Sequence, residues 1–398
     1  MNAGAAKRIA IIVGGPAGSL LAILLARRGL KPVVVERGPQ FSYDAPRGGR
    51  SINLALAARG IAALRRVGIE AEVAKLLIPM RGRMVHDSSG AQRFLPYGQR
   101  ATEEIYSVSR ATLNTLLYEL AAKRHGVEYR FGQQCVGVDG DGTPLIDTGA
   151  GPQRLEADVV LAADGAGSEV RRALAANGAI TSREELLDHG YKELTLAARG
   201  GDFALAANAL HIWPRGGFML IGLPNPDHTF TATLFLPHRG EPSFASVGAA
   251  RARAFFEREF ADAVPLIPAL EREYADHPVG LLGTVHCRPW SFANRVLLVG
   301  DAAHAIVPFH GQGMNAAFED CVALDELIGR HQVVGGHDWP AIFAALSTPF
   351  CKERIAVWSP TSGARPFGLI YDSTNSAIRS SRVHCTAGIG SPCTRSNW

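Results

Sequence analysis

Residues 7–38 constrain the fold more than any other stretch of the chain. KRIAIIV is a basic start followed by an unbroken apolar run, the pattern of a strand buried on both faces of a parallel sheet. GGPAGSLLAILLARRG follows, with Leu20, Leu21, Leu24 and Leu25 at helical spacing and Gly29 as a stop. KPVVVERG is a second apolar strand, ending in Glu36, which lies 22 positions after Gly14. Such a β-α-β unit sets a phosphate on the helix N-terminus and a carboxylate on a ribose hydroxyl. Gly14, Gly15, Ala17, Gly18 and Glu36 are therefore candidate cofactor-binding residues. The fingerprint G-x-G-x-x-G falls on Val13 to Gly18, so Val13 replaces its first glycine. Gly14 is expected to make the tight turn instead, with the turn shifted by one residue. A β-α-β unit that holds no nucleotide is the alternative for this segment taken alone.

Composition sets outer bounds. With 398 residues, 47% hydrophobic and 20% charged, the chain can build two domains, or one large domain with an insertion. A disulfide miniprotein, a collagen-like chain and a wholly disordered chain are excluded. The net charge of +4 is carried by residues 347–398, and the body before them is neutral. That argues against nucleic acid as the main partner. The 6 cysteines form no CxxC pair and no His/Cys cluster has zinc spacing, so single thiols and no metal site are expected. The longest uncharged run, Ile9 to Ala26, is interrupted by Gly14-Gly15-Pro16. No membrane span is expected, and the cytoplasm is the expected setting.

Two later segments add to the dinucleotide reading. VVLAADGAGSEVRRAL is a strand running into Asp164-Gly165, then a loop and the helix carrying Arg171. RVLLVGDAAHAIVPFHGQGMNAAFEDCVAL is a strand ending at Gly300-Asp301, a loop with Pro308, Gly311 and Gly313, then a helix. The set Asp301, Pro308, Gly311, Gly313, Asn315 and Asp320 resembles the signature of the flavoprotein hydroxylases with a single dinucleotide domain, the p-hydroxybenzoate hydroxylase fold. Asp301 at a strand end suits ribitol hydroxyls. The turn from Gly311 through Met314 to Asn315 offers backbone N–H groups and a helix N-terminus to the flavin edge that becomes anionic on reduction.

The resemblance narrows further. RGGRSINLALAARGIAALRRVG, RGRMVHD, LPYGQ, IYSVSRATLNTLLYELA, HIWPRGGFMLIGLPN, FTATLFLP and VPFHGQGMNAAFEDC resemble, in order, the kynurenine 3-monooxygenases. The resemblance implies hydroxylation of L-kynurenine at ring carbon 3. It implies tightly bound FAD, NADPH as a transient co-substrate, and O₂ reacting through a C4a-hydroperoxyflavin. The cofactor carries such chemistry, and the protein binds, orients and excludes water. By the resemblance, Arg83 grips the substrate carboxylate and Tyr97 hydrogen-bonds it. Arg110 contacts the flavin side of the cofactor, and Pro308, Phe309 and His310 line the pocket beside the flavin ring. Taken alone, Arg83 reads as a solvated strand charge, Tyr97 as a half-buried turn aromatic and Arg110 as a surface arginine at a helix start. Phe235 reads equally as a substrate-pocket aromatic or as core. His310 reads as packing, because a neutral arylamine needs no base, so no side chain is expected to act as acid or base. His304 is expected to order its loop. No second glycine-rich unit is present, so no residue is assigned to NADPH.

The expected fold class is α/β. A discontinuous Rossmann-like FAD-binding domain takes residues 1–75, 100–175 and 276–346, with an inserted β-rich substrate domain of residues 76–99 and 176–275. HIWPRGGFMLIGLP and HTFTATLFLP read as an antiparallel sheet over the flavin. FASVGAARARAFFEREF and VPLIPALEREYADHP read as helices, the second ended before Pro278. Residues 347–398 are a divergent tail, rich in Ser, Thr and Pro and without a helical apolar period; disorder is expected there. The resemblance implies a helical region at that place, with an Asn and a Tyr at the substrate, and this stretch lacks both patterns. Two alternatives stay open: another aromatic-ring hydroxylase of the same fold, and a flavin-binding relic impaired by the tail and by Val13. Oligomeric state is not legible.

Overall fold

A computed structural model of the chain describes residues 7–43, 53–100 and 103–347, without the side chain of His310. The expectations for the divergent tail lie, apart from Ser347, outside the described residues. β1 (Ile9–Ile12), α1 (Pro16–Arg27) and β2 (Pro32–Glu36) form the first β-α-β unit. Pro16 occupies the first helical position, where its missing N–H costs nothing. α1 stops where Gly29 takes φ +79° and the Gly29 and Leu30 amides fold back onto the Ala26 and Leu25 carbonyls.

There follow β3 (Asn53–Leu56), α2 (Ala58–Arg66), α3 (Glu70–Ala74), β4 (Ile78–Met80), β5 (Gly82–His86), β6 (Gln92–Pro96), β7 (Ile105–Ser109), α4 (Arg110–Glu119) and β8 (Glu128–Phe131). A small sheet of β9 (Gln134–Val138), β10 (Pro144–Asp147) and β11 (Pro152–Arg154) precedes β12 (Val159–Ala162) and α5 (Glu169–Ala176). Next come β13 (Thr181–Leu196), β14 (Ala209–Pro214), β15 (Met219–Pro224), β16 (Phe230–Pro237), α6 (Ala252–Glu259) and α7 (Leu270–Asp276). The described chain closes with β17 (Gly280–Arg288), β18 (Ser291–Phe292), β19 (Val296–Leu298), α8 (Asp301–His304), α9 (Gly313–Arg330) and α10 (Trp339–Ser347).

The α/β class and the parallel first sheet are as expected. Its order is β18-β19-β12-β1-β2-β8, and all pairs from β19 to β8 are parallel. β1 and β12 are buried along their whole length, which is why their runs are continuous rather than alternating. The second sheet has the order β17-β13-β16-β15-β14-β5-β6 and is antiparallel except for the β14–β5 pair. β17 lies beyond the division near residue 276; it edges this sheet and also donates from Val285 N–H to the Ala305 carbonyl, 2.8 Å, beside α8. Among the described residues no helix is long and apolar enough to cross a membrane.

Both helices read in the inserted segment are shorter than expected. Residues 244–248 are not helical, because the Ser243 and Ser246 hydroxyls bond the local amides at 2.9 and 3.0 Å and offer the backbone a turn instead. Pro265 and Pro268 confine the start of the next segment to a 3₁₀ turn, and α7 proper begins at Leu270.

The second sheet uses its two faces differently. Leu194, Trp213, Leu220, Phe230, Ala232, Leu234 and Leu236 pack against Phe255, Phe256 and Phe260 around α6 and Leu270 and Tyr274 on α7. On this face a polar chain is sealed in. His86 Nδ1 lies 2.7 Å from Asp262 Oδ2, and His86 Nε2 lies 2.8 Å from His211 Nδ1. His211 Nε2 reaches the Ala206 carbonyl at 2.9 Å, and the Trp213 indole N–H donates to Asp262. A carbonyl only accepts, so His211 carries its proton on Nε2 and His86 must donate from Nε2. The chain ends on backbone and cannot pass a proton onward; what it does is tie β5 to β14 and to the segment after α6.

Burial pushes the His211 imidazole down to about 4 from 6.5. Between those values the unfolded chain binds a proton that the folded one refuses, so stability falls as pH drops through that window. The loss is on the order of 2–3 kcal/mol. Urea unfolding at pH 7, 5.5 and 4.5 is expected to show this decline, and His211→Asn to flatten it; a pH-independent native midpoint would contradict the buried-histidine account.

Candidate active site

A cavity of about 280 Å³ opens at the C-terminal ends of β1, β2, β12 and β19, where open α/β sheets bind ligands. Gly15, Pro16 and Ala17 bring the start of α1 to its wall. Asp164 enters after β12, Asp301 from α8, Gly313 and Met314 from the start of α9, and Arg110 from the start of α4. Two helix N-termini thus face one space, which favours anionic groups there.

The turn after β1 departs from expectation. It is not shifted onto Gly14; Val13 itself takes φ +74°. Neighbours fix it there. Its amide donates to the Val35 carbonyl at 2.8 Å, and a Cβ at Gly18 would collide with the Val13 carbonyl oxygen. Gly18 therefore lets α1 close on β1, as the third glycine of such a fingerprint does. A Cβ at Gly15 would meet nothing within 4 Å, so the backbone is open to the cavity at that point. Glu36 sits beneath the turn rather than on the cavity wall. Its carboxylate accepts from the Gly14 and Gly38 amides, both at 2.9 Å, and it is buried.

The later motifs are interlocked. The buried guanidinium of Arg171 donates to the Ala302 carbonyl at 3.0 Å, the Ala166 carbonyl at 2.5 Å and Glu184 at 2.6 Å, which ties the loop after β12 to α8. Asp164 has one oxygen, Oδ1, buried without a hydrogen-bond partner, and burial pushes its carboxyl up. Gly311 takes φ +61°, and a Cβ there would come 2.8 Å from the Ala55 Cβ, so only glycine fits. The Asn315 side chain accepts from Ala57 N–H at 2.9 Å and donates to the Ala55 and Gly311 carbonyls. Gly14, Gly18, Glu36, Pro308, Gly311 and Asn315 thus shape the cavity from outside its lining. Gly15, Ala17, Arg110, Asp164, Asp301, Gly313 and Met314 line it.

The second face of the larger sheet carries the remaining candidates. Register pairs Arg83 with Leu210, Ile212 with Ile221, Ile221 with Thr233, Leu223 with Thr231 and Met219 with Phe235. On β14, β15 and β16 this face is apolar apart from Thr231 and Thr233; Arg83 and Arg93 join it from β5 and β6, and β13 adds Tyr191, Glu193 and Thr195 opposite Phe235, Thr233 and Thr231. The Phe235 ring is 5.5 Å from that of Phe309, and 6.3 Å from that of Tyr191. The Arg83 guanidinium lies 5.4 Å from the Tyr97 ring centre. The Tyr97 hydroxyl is buried without a hydrogen-bond partner. Burial pushes that phenol up to about 12 against the pull of Arg83, so it stays a proton donor at neutral pH. Pro308 and Phe309 begin a 3₁₀ turn that ends at His310.

The lone buried Asp164 oxygen, the open backbone at Gly15 and the paired helix N-termini suit a long, hydroxyl- and phosphate-bearing cofactor. The FAD binding domain family matches residues 7–332. The kynurenine 3-monooxygenase of Stenotrophomonas maltophilia (strain K279a) is 47% identical over 351 residues, covering 87% of this chain and 76% of its own. The chain belongs to the kynurenine 3-monooxygenase family. The Myxococcus xanthus (strain DK1622) kynurenine 3-monooxygenase is 46% identical over 84% of this chain and 72% of its own. Among solved structures, 2-methyl-3-hydroxypyridine-5-carboxylic acid oxygenase in its tetrameric form matches with TM-score 0.71 at 19% identity, covering 96% and 94% of the two chains. A single-site variant of Klebsiella pneumoniae HpxO, complexed with FAD, matches with TM-score 0.69 at 18% identity, covering 94% and 92%. These two share the fold.

Sequence reasoning missed Arg37, Leu54 and Cys135 on the cavity wall, and Leu210, Ile221, Leu223 and Thr233 on the sheet face. The alternation in FTATLFLP carried part of that signal; the register across three strands did not.

A β-branched residue at positive φ is strained by about 1–2 kcal/mol. Glycine there gives back about 0.5–1 kcal/mol in chain entropy. Val13→Gly is expected to raise the stability of the FAD-free protein by about 0.5–1 kcal/mol in denaturant unfolding; a lower stability would show that the Val13 side chain gains more by packing than its backbone loses.

Proposed function

We propose that this protein hydroxylates L-kynurenine to 3-hydroxykynurenine with FAD, NADPH and O₂. The observation that carries the reading is the buried Tyr97 hydroxyl, without a partner beside Arg83, which shares a sheet face with Leu210, Ile221 and Leu223 in a chain of this family. In this reading Arg83 takes the substrate carboxylate with two parallel N–H bonds, and Tyr97 donates a third. Leu210, Ile221 and Leu223 hold the aryl ring by burial and keep water off it. Phe235 and Phe309 close the side toward the flavin. Bound FAD supplies the oxygen-activating chemistry, with reducing equivalents from NADPH. Asp164 and Asp301 take cofactor hydroxyls, Gly15 and Ala17 lie along the phosphates, and Gly313 and Met314 face the flavin with the start of α9. Arg110 contacts the flavin side. Glu36 acts through the turn it braces. The division into FAD-binding segments and an inserted substrate sheet belongs to the same reading, as does a cytoplasmic setting where NADPH is available. No side chain is asked to act as a base.

A catalytically impaired flavoprotein is the second reading, and the strained turn at Val13 is what favours it. One assay separates the two: NADPH oxidation by FAD-supplemented protein with and without L-kynurenine, reading H₂O₂ and hydroxylated product together. Kynurenine-stimulated oxidation that yields 3-hydroxykynurenine is expected. Stimulation that yields only H₂O₂ supports the impaired reading, and no stimulation removes kynurenine as the substrate.

Arg83→Ala is expected to weaken kynurenine by about 2–5 kcal/mol, the usual loss when one partner of a desolvated charge pair is removed. Tyr97→Phe is expected to cost about 0.5–1.5 kcal/mol. Both should leave FAD affinity unchanged; an unaltered kynurenine KM in Arg83→Ala would take Arg83 out of the site.

A further inference from the structure

α8 is only four residues long, yet three elements grip it. Arg171 on α5 holds the Ala302 carbonyl at 3.0 Å, and the Cys287 thiol on β17 donates to the Ala303 carbonyl at 3.1 Å. The third grip comes from α9. Asp320 Oδ2 accepts from the Gly300 amide at 3.1 Å and lies 2.5 Å from His304 Nε2. One buried carboxylate oxygen therefore holds both ends of α8. Gly300 takes φ +62°, and a Cβ on it would come 2.8 Å from the Ala317 Cβ, so α9 approaches as closely as a glycine allows. The one α8 side chain on the cavity wall is Asp301. A Cβ at Gly313 would lie 3.7 Å from Asp301 Oδ1, so this carboxylate rests against the first residue of α9.

We propose that Asp320 and His304 form a positioning pair for FAD: the pair holds α8 at both ends so that Asp301 faces the cavity. The proposal rests on the reading of Asp301 as a ligand of cofactor hydroxyls. Burial alone would push the His304 imidazole down, but the Asp320 carboxylate outweighs it and holds the imidazole above its ordinary value. Burial pushes the Asp301 carboxyl up and outweighs the pull of His304 and Arg110, with Asp320 adding to the rise. The charged groups acting on His304 are Asp320 on α9 and Asp301 on its own helix. The Trp290 ring covers the imidazole at 4.8 Å between centres. Without Asp320 the Gly300 amide and the His304 ring both lose their partner on α9.

In Asp320→Asn the Gly300 amide and the His304 ring lose their shared carboxylate, and α9 no longer holds Asp301 in place. His304→Gln keeps the bond to Gly300 and frees only the far end of α8, so its effect is smaller. Because the pair acts through Asp301, Asp320→Asn costs little more in an Asp301→Ala background.

The test is FAD binding to full-length apoprotein at neutral pH, followed by quenching of flavin fluorescence, with each variant made in the native and the Asp301→Ala background. Asp320→Asn is expected to bind FAD about tenfold more weakly than the native protein, the size of one weakened charge-assisted hydrogen bond, and to add less than about twofold in the Asp301→Ala background. Far-UV circular dichroism of each apoprotein identifies any variant that fails to fold, and the other variant then decides. Unchanged affinity in Asp320→Asn and His304→Gln overturns the proposal, and so does a loss of equal size with and without Asp301. Failure of the native protein to bind FAD would instead overturn the cofactor reading on which the pair rests.

Discussion

The seat of α1 on β1 is the contact on which the rest of the site depends. Gly18 brings the helix against the Val13 carbonyl more closely than any side chain would permit. That approach fixes where the helix N-terminus points, and with it where the backbone N–H groups without helical partners are aimed. Everything later in the chain is placed relative to that end. β12 lies parallel to β1 and delivers Asp164, while β19 lies parallel to β12 and delivers Asp301. α9 packs on α1 and brings a second helix start to the same space. The electrostatics of the cavity thus follow from one steric allowance.

Much of this is legible in the sequence because it is local. An unbroken apolar run, a glycine turn and a leucine stripe each report on residues a few positions apart, and β1, α1 and β2 appear where that pattern sets them. The same holds for the strand-turn-helix passages around Asp164 and Asp301. The turn at Val13 defeats the local reading for an instructive reason. Propensity says that a β-branched residue avoids positive φ, which would move the turn to Gly14. The surroundings overrule propensity: the bond to the Val35 carbonyl and the packing under Gly18 leave the backbone no other course. Glu36 illustrates a different limit. Spacing places it correctly at the strand end but cannot say that its oxygens are taken up by the Gly14 and Gly38 amides. The sheet face is the least legible part. Arg83 and Phe235 are far apart in sequence, and their sharing a face is a matter of register between β5, β14, β15 and β16. Family resemblance supplies what local pattern cannot.

Polar groups buried in this protein fall into two kinds. Those of the His86, His211 and Asp262 chain are fully engaged with one another and end on backbone. Such a network specifies how β5 sits and asks for nothing from outside. The Asp164 oxygen and the Tyr97 hydroxyl are the other kind: buried, polar and without a partner within the protein. A folded chain tolerates such atoms at a cost of about 1–3 kcal/mol each. Their recovery on ligand binding is a direct physical link between the stability the apoprotein lacks and the affinity the site can offer.

The strict alternation of the larger sheet has a consequence for how such a protein can change. Trp213, Leu220 and Leu234 belong to the aromatic core, while Ile212, Ile221 and Thr233, one position removed, do not. The period-two geometry of a strand therefore separates heritable variation into two channels that scarcely interfere. Drift at one parity lowers stability; drift at the other reshapes a binding surface. A lineage can remodel Leu210, Ile221, Leu223 and Thr233 to follow a new aromatic ligand without rebuilding its core, and the wide spread of sequences that share this architecture is what such a separation permits.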